Sequence, residues 1–129
     1  MAYLRPGFLL SRVVNPVLMK LRLKPSLAVR GRHSGEWRTV PVNVLELSGR
    51  RYLVAIRGET DWVRNLRAAG SGEIRHGAKI EFFHAHEVPV EERAAIIAAY
   101  RALWDREAKK FFEALPDPAD HPVFWIESA

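Results

Sequence analysis

Gly31-Arg32-His33-Ser34-Gly35-Glu36-Trp37-Arg38 concentrates the chemistry of this chain. Two glycines bracket a short segment carrying a guanidinium, an imidazole and a hydroxyl, and a second guanidinium, Arg38, follows three residues later. Glycine lets backbone N–H groups approach an anion closely, and successive amides in such a turn form an anion-binding concavity. Ser34 adds a donor, and arginine matches phosphate oxygens in bidentate fashion. Arg57-Gly58 ends a later apolar run, where a hairpin would return it to this loop. The expected chemistry is therefore the binding of a small phosphorylated ligand. His84 and His86 alternate along one strand and share a face, but no carboxylate or third ligand accompanies them, so no metal site is assigned. Cysteine is absent, which removes disulfides and thiolate metal ligation.

The elements that must hold this loop follow from local pattern. Residues 27–31 and 39–47 are expected as strands, the second because Val40, Val42, Val44 and Leu45 nearly alternate with polar residues. Ser48-Gly49-Arg50 is a turn, so 39–47 and 51–57 should form a hairpin. The run Tyr52-Leu53-Val54-Ala55-Ile56 is apolar throughout and should be central. Thr60 or Asp61 can cap a short helix reaching Ala69, with Trp62, Leu66 and Ala69 on its buried face and Gly70-Ser71-Gly72 stopping it. Residues 73–76 and 78–88 form a second strand pair around His76-Gly77. Pro89 opens a long helix with Glu91 and Glu92 in its first turn, where the helix dipole favours acids. Its stripe is Ile96, Ile97, Tyr100, Leu103 and Trp104, continued by Phe111, Phe112 and Leu115 after a break near Asp105. Pro116, Pro118 and Pro122 mark a loop before a last strand, Val123–Glu127. Residues 7–21 are expected as an additional, proline-interrupted helix.

The 129 residues suit one domain of ordinary globular composition. We divide the chain into a basic amphipathic segment, residues 1–26, and a single domain, 27–129. The class is α+β, mainly β, with about six antiparallel strands in a small barrel and helices at the N-terminus, between strands and near the C-terminus. The net charge of +5 is local. Residues 1–24 hold Arg5, Arg12, Lys20, Arg22 and Lys24 and no acid, and residues 30–57 hold six arginines against Glu36 and Glu46. A local patch fits a small anionic ligand better than nucleic acid, which is not expected as a partner. No run of about 18 apolar residues is available to span a membrane, and the N-terminus lacks the small-residue cleavage site of a signal peptide. A cytoplasmic location is expected. The basic and apolar faces of residues 7–24 suit peripheral contact with anionic lipid, or else packing of that segment across the barrel mouth.

The loop is similar to the phosphate-binding loop of the deazaflavin-dependent nitroreductase and F420H2-dependent quinone reductase family, commonly Gly-Arg-(Lys)-(Ser/Thr)-Gly-x-x-Arg-x-x-Pro. Three further blocks resemble that family in order: Val54-Ala55-Ile56-Arg57-Gly58, Trp62-Val63-Arg64-Asn65-Leu66 and His121-Pro122-Val123-Phe124-x-Ile126. Together they span residues 27–127. The resemblance implies a split β-barrel, of the type that also binds flavin mononucleotide, with coenzyme F420 in a groove. It implies that Arg32, His33, Ser34, Gly35, Arg38 and Arg57 hold the phosphate side. Thr39, Val40, Pro41, Val42, Asn43, Val54, Ala55 and Ile56 would line the deazaflavin, and Trp62 and Asn65 would close over it. The chain departs from the family at His33, where lysine is frequent, in the shorter spacing from Gly58 to Trp62, and in lacking a clear match to the tyrosine-rich substrate wall.

The implied function is hydride transfer from the reduced deazaflavin to a small-molecule acceptor, a quinone, nitro compound or other conjugated system, the protein supplying binding and electrostatics. The alternatives are an enzyme using flavin mononucleotide on the same barrel and a non-catalytic carrier of the coenzyme. Tyr100, His86 or His121 could donate a proton if they faced the pocket; no side chain is assigned as catalytic. By analogy with the wider fold group, a homodimer is also expected.

Overall fold

The computed structural model describes residues 24–129. Seven strands, β1 (Ser26–Arg30), β2 (Trp37–Pro41), β3 (Leu45–Leu47), β4 (Arg50–Val54), β5 (Ser71–His76), β6 (Lys79–Glu87) and β7 (Val123–Ser128), form one antiparallel sheet in the order β2-β1-β5-β6-β7-β4-β3. Helix α1 (Asp61–Ala69) joins β4 to β5, and α2 (Arg93–Ala114), preceded by a 3-10 turn at Val90–Glu92, joins β6 to β7. The sheet curls into a split barrel whose free edges are β2 and β3. The expected N-terminal helix over 7–21, and the lipid contact assigned to 7–24 apart from Lys24, lie outside the described residues. Among the described residues no helix is long and apolar enough to cross a membrane.

The seventh strand arises from a correction. The alternating run 39–47 is two strands, not one: β2 pairs with β1, β3 pairs with β4, and residues 42–44 between them belong to neither. Only β3 and β4 form the expected hairpin, through Ser48 and Gly49, both with positive φ (53° and 80°), as a two-residue hairpin turn of the primed type requires. The second hairpin turns one residue later than expected, at Gly77-Ala78 between His76 and Lys79.

Strands β4 and β7 are buried on both faces, which explains their unbroken apolar sequence. One face, with Leu53, Phe124 and Ile126, packs with Leu27, Val29, Phe83 and the α1 residues Val63 and Leu66. The other, with Tyr52, Val54 and Val123, packs with Ile96, Ile97, Tyr100, Ala108 and Phe112 of α2. The buried face of α1 differs from expectation at both ends: Ala69 in the last turn is exposed, and Val63 in the first turn is buried. Gly70 caps the helix in the left-handed conformation, its N–H donating to the Leu66 carbonyl. In α2 the expected stripe holds for Ile96, Ile97 and Tyr100, but Leu103 is 64% exposed. The cause is a break in helical dihedrals at Trp104 (φ −128°, ψ 22°), one residue from the expected position, after which Ala108 and Phe112 carry the buried register.

Gly72 is the closest backbone approach in the sheet, since an added Cβ would stand 2.9 Å from the Ala28 carbonyl oxygen. A cross-strand clamp ties β4, β6 and β7: Arg51 donates to both oxygens of Glu81, and Ser128 donates to Glu81 as well. The hydrogen bonds from Arg51 and then Ser128 outweigh desolvation and hold the Glu81 carboxyl at about 2. Because the folded value lies below the ordinary 4.5, this stabilisation is fully present above 4.5 and is lost as pH falls through about 2. Urea unfolding of the wild type should therefore weaken more steeply between about pH 5 and pH 2 than unfolding of Glu81→Gln. Coincident pH profiles would show that the clamp contributes nothing.

Candidate functional site

A groove of about 780 Å³ opens along the seam between the edge strand β2 and the part of β4, Leu53 and Val54, that lies beyond the short edge strand β3. It has three chemically distinct stretches. At one end lies the loop Gly31–Ser34 with Arg38, tied to the start of α1, and Arg57 lines the groove against Phe111 of α2. The middle is apolar: Val29, Val40, Val42, Leu53, Val54 and Ile56, with Trp62 beside them. The far end carries Asn43, Tyr100, Glu107 and Lys24.

The loop is internally braced. Gly31 N–H donates to the Glu36 carbonyl at 2.8 Å, Gly35 N–H to the Gly31 carbonyl at 2.9 Å, and Arg30 to the Gly35 carbonyl at 2.9 Å. Gly35 takes φ +75°, and a side chain on Gly31 would meet the Ser34 hydroxyl at 3.0 Å. A side chain at Gly35 would thus be strained by its backbone conformation, and one at Gly31 would make the Ser34 hydroxyl shift. The loop is also tied to α1 by Asn65, which is 5% exposed. Its Oδ1 accepts from the Arg32 backbone N–H (3.0 Å) and from the Arg32 guanidinium (2.7 Å), while Asp61 takes the other arm at 3.4 Å. Arg32 is consequently a loop anchor as well as a lining cation.

What remains unengaged is suited to an anion. Among the described residues, the backbone N–H groups of His33 and Ser34 have no acceptor, and Arg38 and Arg57 have no ion-pair partner. Arg57 stacks over Phe111 at 5.6 Å, which orients its guanidinium beside the groove. The Ser34 oxygen accepts from Glu36 N–H at 3.2 Å, so its proton stays free to donate. Thr60, the cap residue of α1, makes no capping hydrogen bond, and its hydroxyl is the buried side-chain polar atom without a partner among the described residues.

All the site residues named from sequence line this groove except two. Gly35 shapes the loop from outside. Ala55 is buried and turned away; its N–H donates to the Pro122 carbonyl, and its own carbonyl faces His121 Nδ1 at 2.8 Å. The possible proton donors separate in the same way. His121 is fully buried between the Ala55 and Leu115 carbonyls, and His86 stacks on Trp125 at 4.2 Å outside the groove. Tyr100 lines the groove. Sequence reasoning missed Lys24, Val29, Gly31, Leu53, Thr60, Asp61 and Glu107 as lining residues. Glu107 has no local signal, because it reaches the groove only through the packing of α2.

The sequence matches the family model described as F420H(2)-dependent quinone reductase over residues 12–111. No curated protein matches significantly. Among solved structures, the chain is 25% identical to one described as an F420-H2 dependent reductase (FDR-A), with a TM-score of 0.61 over 82% of this chain and 95% of that one. A structure described as a domain-swapped dimer is 19% identical, with a TM-score of 0.60 over 95% of this chain and 100% of that one. Atu2129 from Agrobacterium tumefaciens, a protein of unknown function, is 20% identical, with a TM-score of 0.66 over 88% of this chain and 54% of that one. The last two likenesses show the fold alone.

Because one atom of Asn65 satisfies two donors of Arg32, Asn65→Ala should cost about 1–3 kcal/mol of unfolding free energy. Amide hydrogen exchange should accelerate at residues 31–35. Asn65→Asp, which keeps the acceptor, should stay close to wild type. Unchanged exchange in the alanine variant would show that the loop holds its shape without α1.

Proposed function

The chain belongs to the F420H(2)-dependent quinone reductase family and is an F420-dependent reductase with coenzyme F420 as its cofactor, and from this premise we propose that the seam groove is its active site and that the acceptor is an uncharged quinone or similar conjugated compound. The observation that carries this reading is the placement of unengaged donors. The amides of His33 and Ser34, which have no acceptor among the described residues, the Ser34 hydroxyl and Arg38 lie together on or beside the loop, and Arg57 lines the same groove, whose middle is apolar.

These residues fit the coenzyme. A phosphate would sit on the loop amides, with Arg38 and Arg57 completing its charge-assisted contacts. Thr39, Val40, Pro41, Val42, Val54 and Ile56 offer a flat apolar lining for the deazaflavin, with Trp62 beside it. When bound in reduced form, the coenzyme supplies the hydride. The chain's own part is to fix the phosphate end, hold the ring against the seam, exclude water from its apolar face and leave room at the far end for the acceptor. His33 is exposed at the loop, and its histidine ring replaces the more frequent lysine without removing the backbone donors.

A cytoplasmic location suits a cysteine-free reductase, and contact of residues 7–24 with an anionic membrane would bring a lipid-soluble acceptor within reach. Trp37, Ile80 and Phe82 are exposed on the sheet and offer a surface for a second copy.

Titration of the purified protein with coenzyme F420, followed by tryptophan fluorescence, tests the assignment through Trp62. Saturable binding is expected, and Arg38→Ala should weaken it by about ten- to a hundredfold, the loss of one charge-assisted contact. Binding of flavin mononucleotide in place of the deazaflavin would overturn the reading of the groove, as would affinity unaffected by Arg38→Ala.

A further inference from the structure

Lys24, Asn43, Tyr100 and Glu107 meet at the far end of the groove, brought together across 57 and 64 residues of chain from Asn43 to the two α2 side chains. Their donors and acceptors can be counted. Lys24 is donor only, and the Glu107 carboxylate is acceptor only. Lys24 Nζ donates to Glu107 Oε1 at 3.2 Å, and Asn43 Nδ2 donates to the same oxygen. Glu107 thereby forces Asn43 to present its NH2 rather than its carbonyl. The second hydrogen of that NH2 goes to the Tyr100 hydroxyl oxygen at 3.1 Å. The phenol oxygen is thus an acceptor toward Asn43, and its own hydrogen has no acceptor among the described residues. Tyr100 is 3% exposed and lines the groove, so that hydrogen has the groove to point into.

We propose that Tyr100 is a catalytic hydrogen-bond donor to the oxygen of the acceptor, and that Glu107, acting through Asn43, is the positioning residue that sets its polarity. The proposal rests on the coenzyme occupying the loop end of the groove. The ligand class follows from the parity of the network. The far end favours a carbonyl oxygen, a stronger acceptor toward the Tyr100 hydrogen than a phenolic hydroxyl oxygen, and disfavours an ammonium, which has no lone pair to offer. It favours an uncharged compound, because Lys24 there is already paired with Glu107, whereas Arg38 and Arg57 have no ion-pair partner among the described residues. Burial, and to a lesser degree the nearby Glu107 charge, raise the Tyr100 hydroxyl above its ordinary value and keep it protonated. For Glu107, burial acts upward, but the hydrogen bonds from Asn43 and Lys24 bring it below the ordinary carboxylate range, so it stays an acceptor at neutral pH. During reduction the acceptor gains a hydride from the reduced coenzyme and one proton from water at its oxygen. Tyr100 keeps its own proton and stabilises the negative charge that develops on that oxygen.

Calorimetric titration of protein saturated with oxidised coenzyme F420 tests this with two probes of one shape, naphthoquinone, whose carbonyl oxygens only accept, and dihydroxynaphthalene, whose hydroxyls donate and accept more weakly. The wild type should prefer naphthoquinone by about tenfold, the worth of one well-placed hydrogen bond. Tyr100→Phe should abolish the preference and lower kcat/KM for naphthoquinone by about ten- to a hundredfold, with coenzyme affinity unchanged. Glu107→Gln, whose amide can donate as well as accept, lets Asn43 turn round and should narrow the preference to about threefold or less. A preference that survives Tyr100→Phe while the coenzyme still binds overturns this inference alone. Failure of the wild type to bind the coenzyme overturns the reading of the groove and this inference with it.

Discussion

The two edge strands of the sheet are neighbours in the chain. β2 and β3 stand at opposite ends of a seven-stranded order, yet only residues 42–44 separate them. Six inter-strand steps of a flat sheet would part these edges by about 29 Å. The four peptide steps from Pro41 to Leu45 reach at most about 14 Å. The sheet therefore has to curl until its edges nearly meet, and most other features follow from that closure. The inner side of the curl becomes the core under α1 and the outer side the core under α2, which is why β4 and β7 need apolar residues on both faces. The edges come close without pairing, so a seam is left open, and the crossover residues Val42 and Asn43 lie within it.

A seam of this kind is a natural place for an elongated ligand with a charged end. Its walls are the apolar faces of strands, its floor is the barrel core, and its ends are shaped by loops. The sequence places different electrostatics at the two ends. At the loop end the side chain most central to the motif, Arg32, is committed to structure, and its attachment to Asn65 and Asp61 leaves the backbone amides pointing outward. The groups left to meet a ligand there are the amides of a braced turn and the Arg38 guanidinium beside it. At the far end each charge is matched. The groove thus attracts an anion at one end and admits a neutral polar group at the other, and a ligand spanning both has one favourable orientation.

The parts that could be read in the sequence are those decided over a few residues. The glycine-bracketed loop, the Ser48-Gly49 turn, the Gly70 stop of α1 and the break in α2 all depend on local backbone chemistry and lie where that chemistry places them. The errors are equally local in origin. The alternation of Val40, Val42, Val44 and Leu45 describes a strand well, but periodicity carries no information about which sheet edge each half joins, so the crossover was hidden inside one expected strand. Leu103 fits a straight helix and fails because dihedrals change at the next residue. Ala55 sits in an apolar run whose two faces serve different cores, and sequence alone could not say which alternate residues meet the groove.

The far-end cluster was illegible for a deeper reason. Asn43, Tyr100 and Glu107 are unremarkable side chains in three separate contexts, and nothing but the closed barrel brings them together. Asn43 is held there by the same three-residue crossover that forces the sheet to curl. Tyr100 and Glu107 ride on α2, which packs against the outer core and touches neither the loop nor α1 through any hydrogen bond between described side chains. The loop end and the far end of the groove are therefore held by different helices, the loop by α1 and the Asn43 cluster by α2, while Arg57 rests on Phe111 of α2. A substitution on the groove-facing side of α2 can alter what the far end accepts while the loop, braced by its own backbone and by Asn65, keeps its shape. Under the proposed reading of the groove, that separation would let a fold of this size keep one cofactor site while its acceptor site diverges.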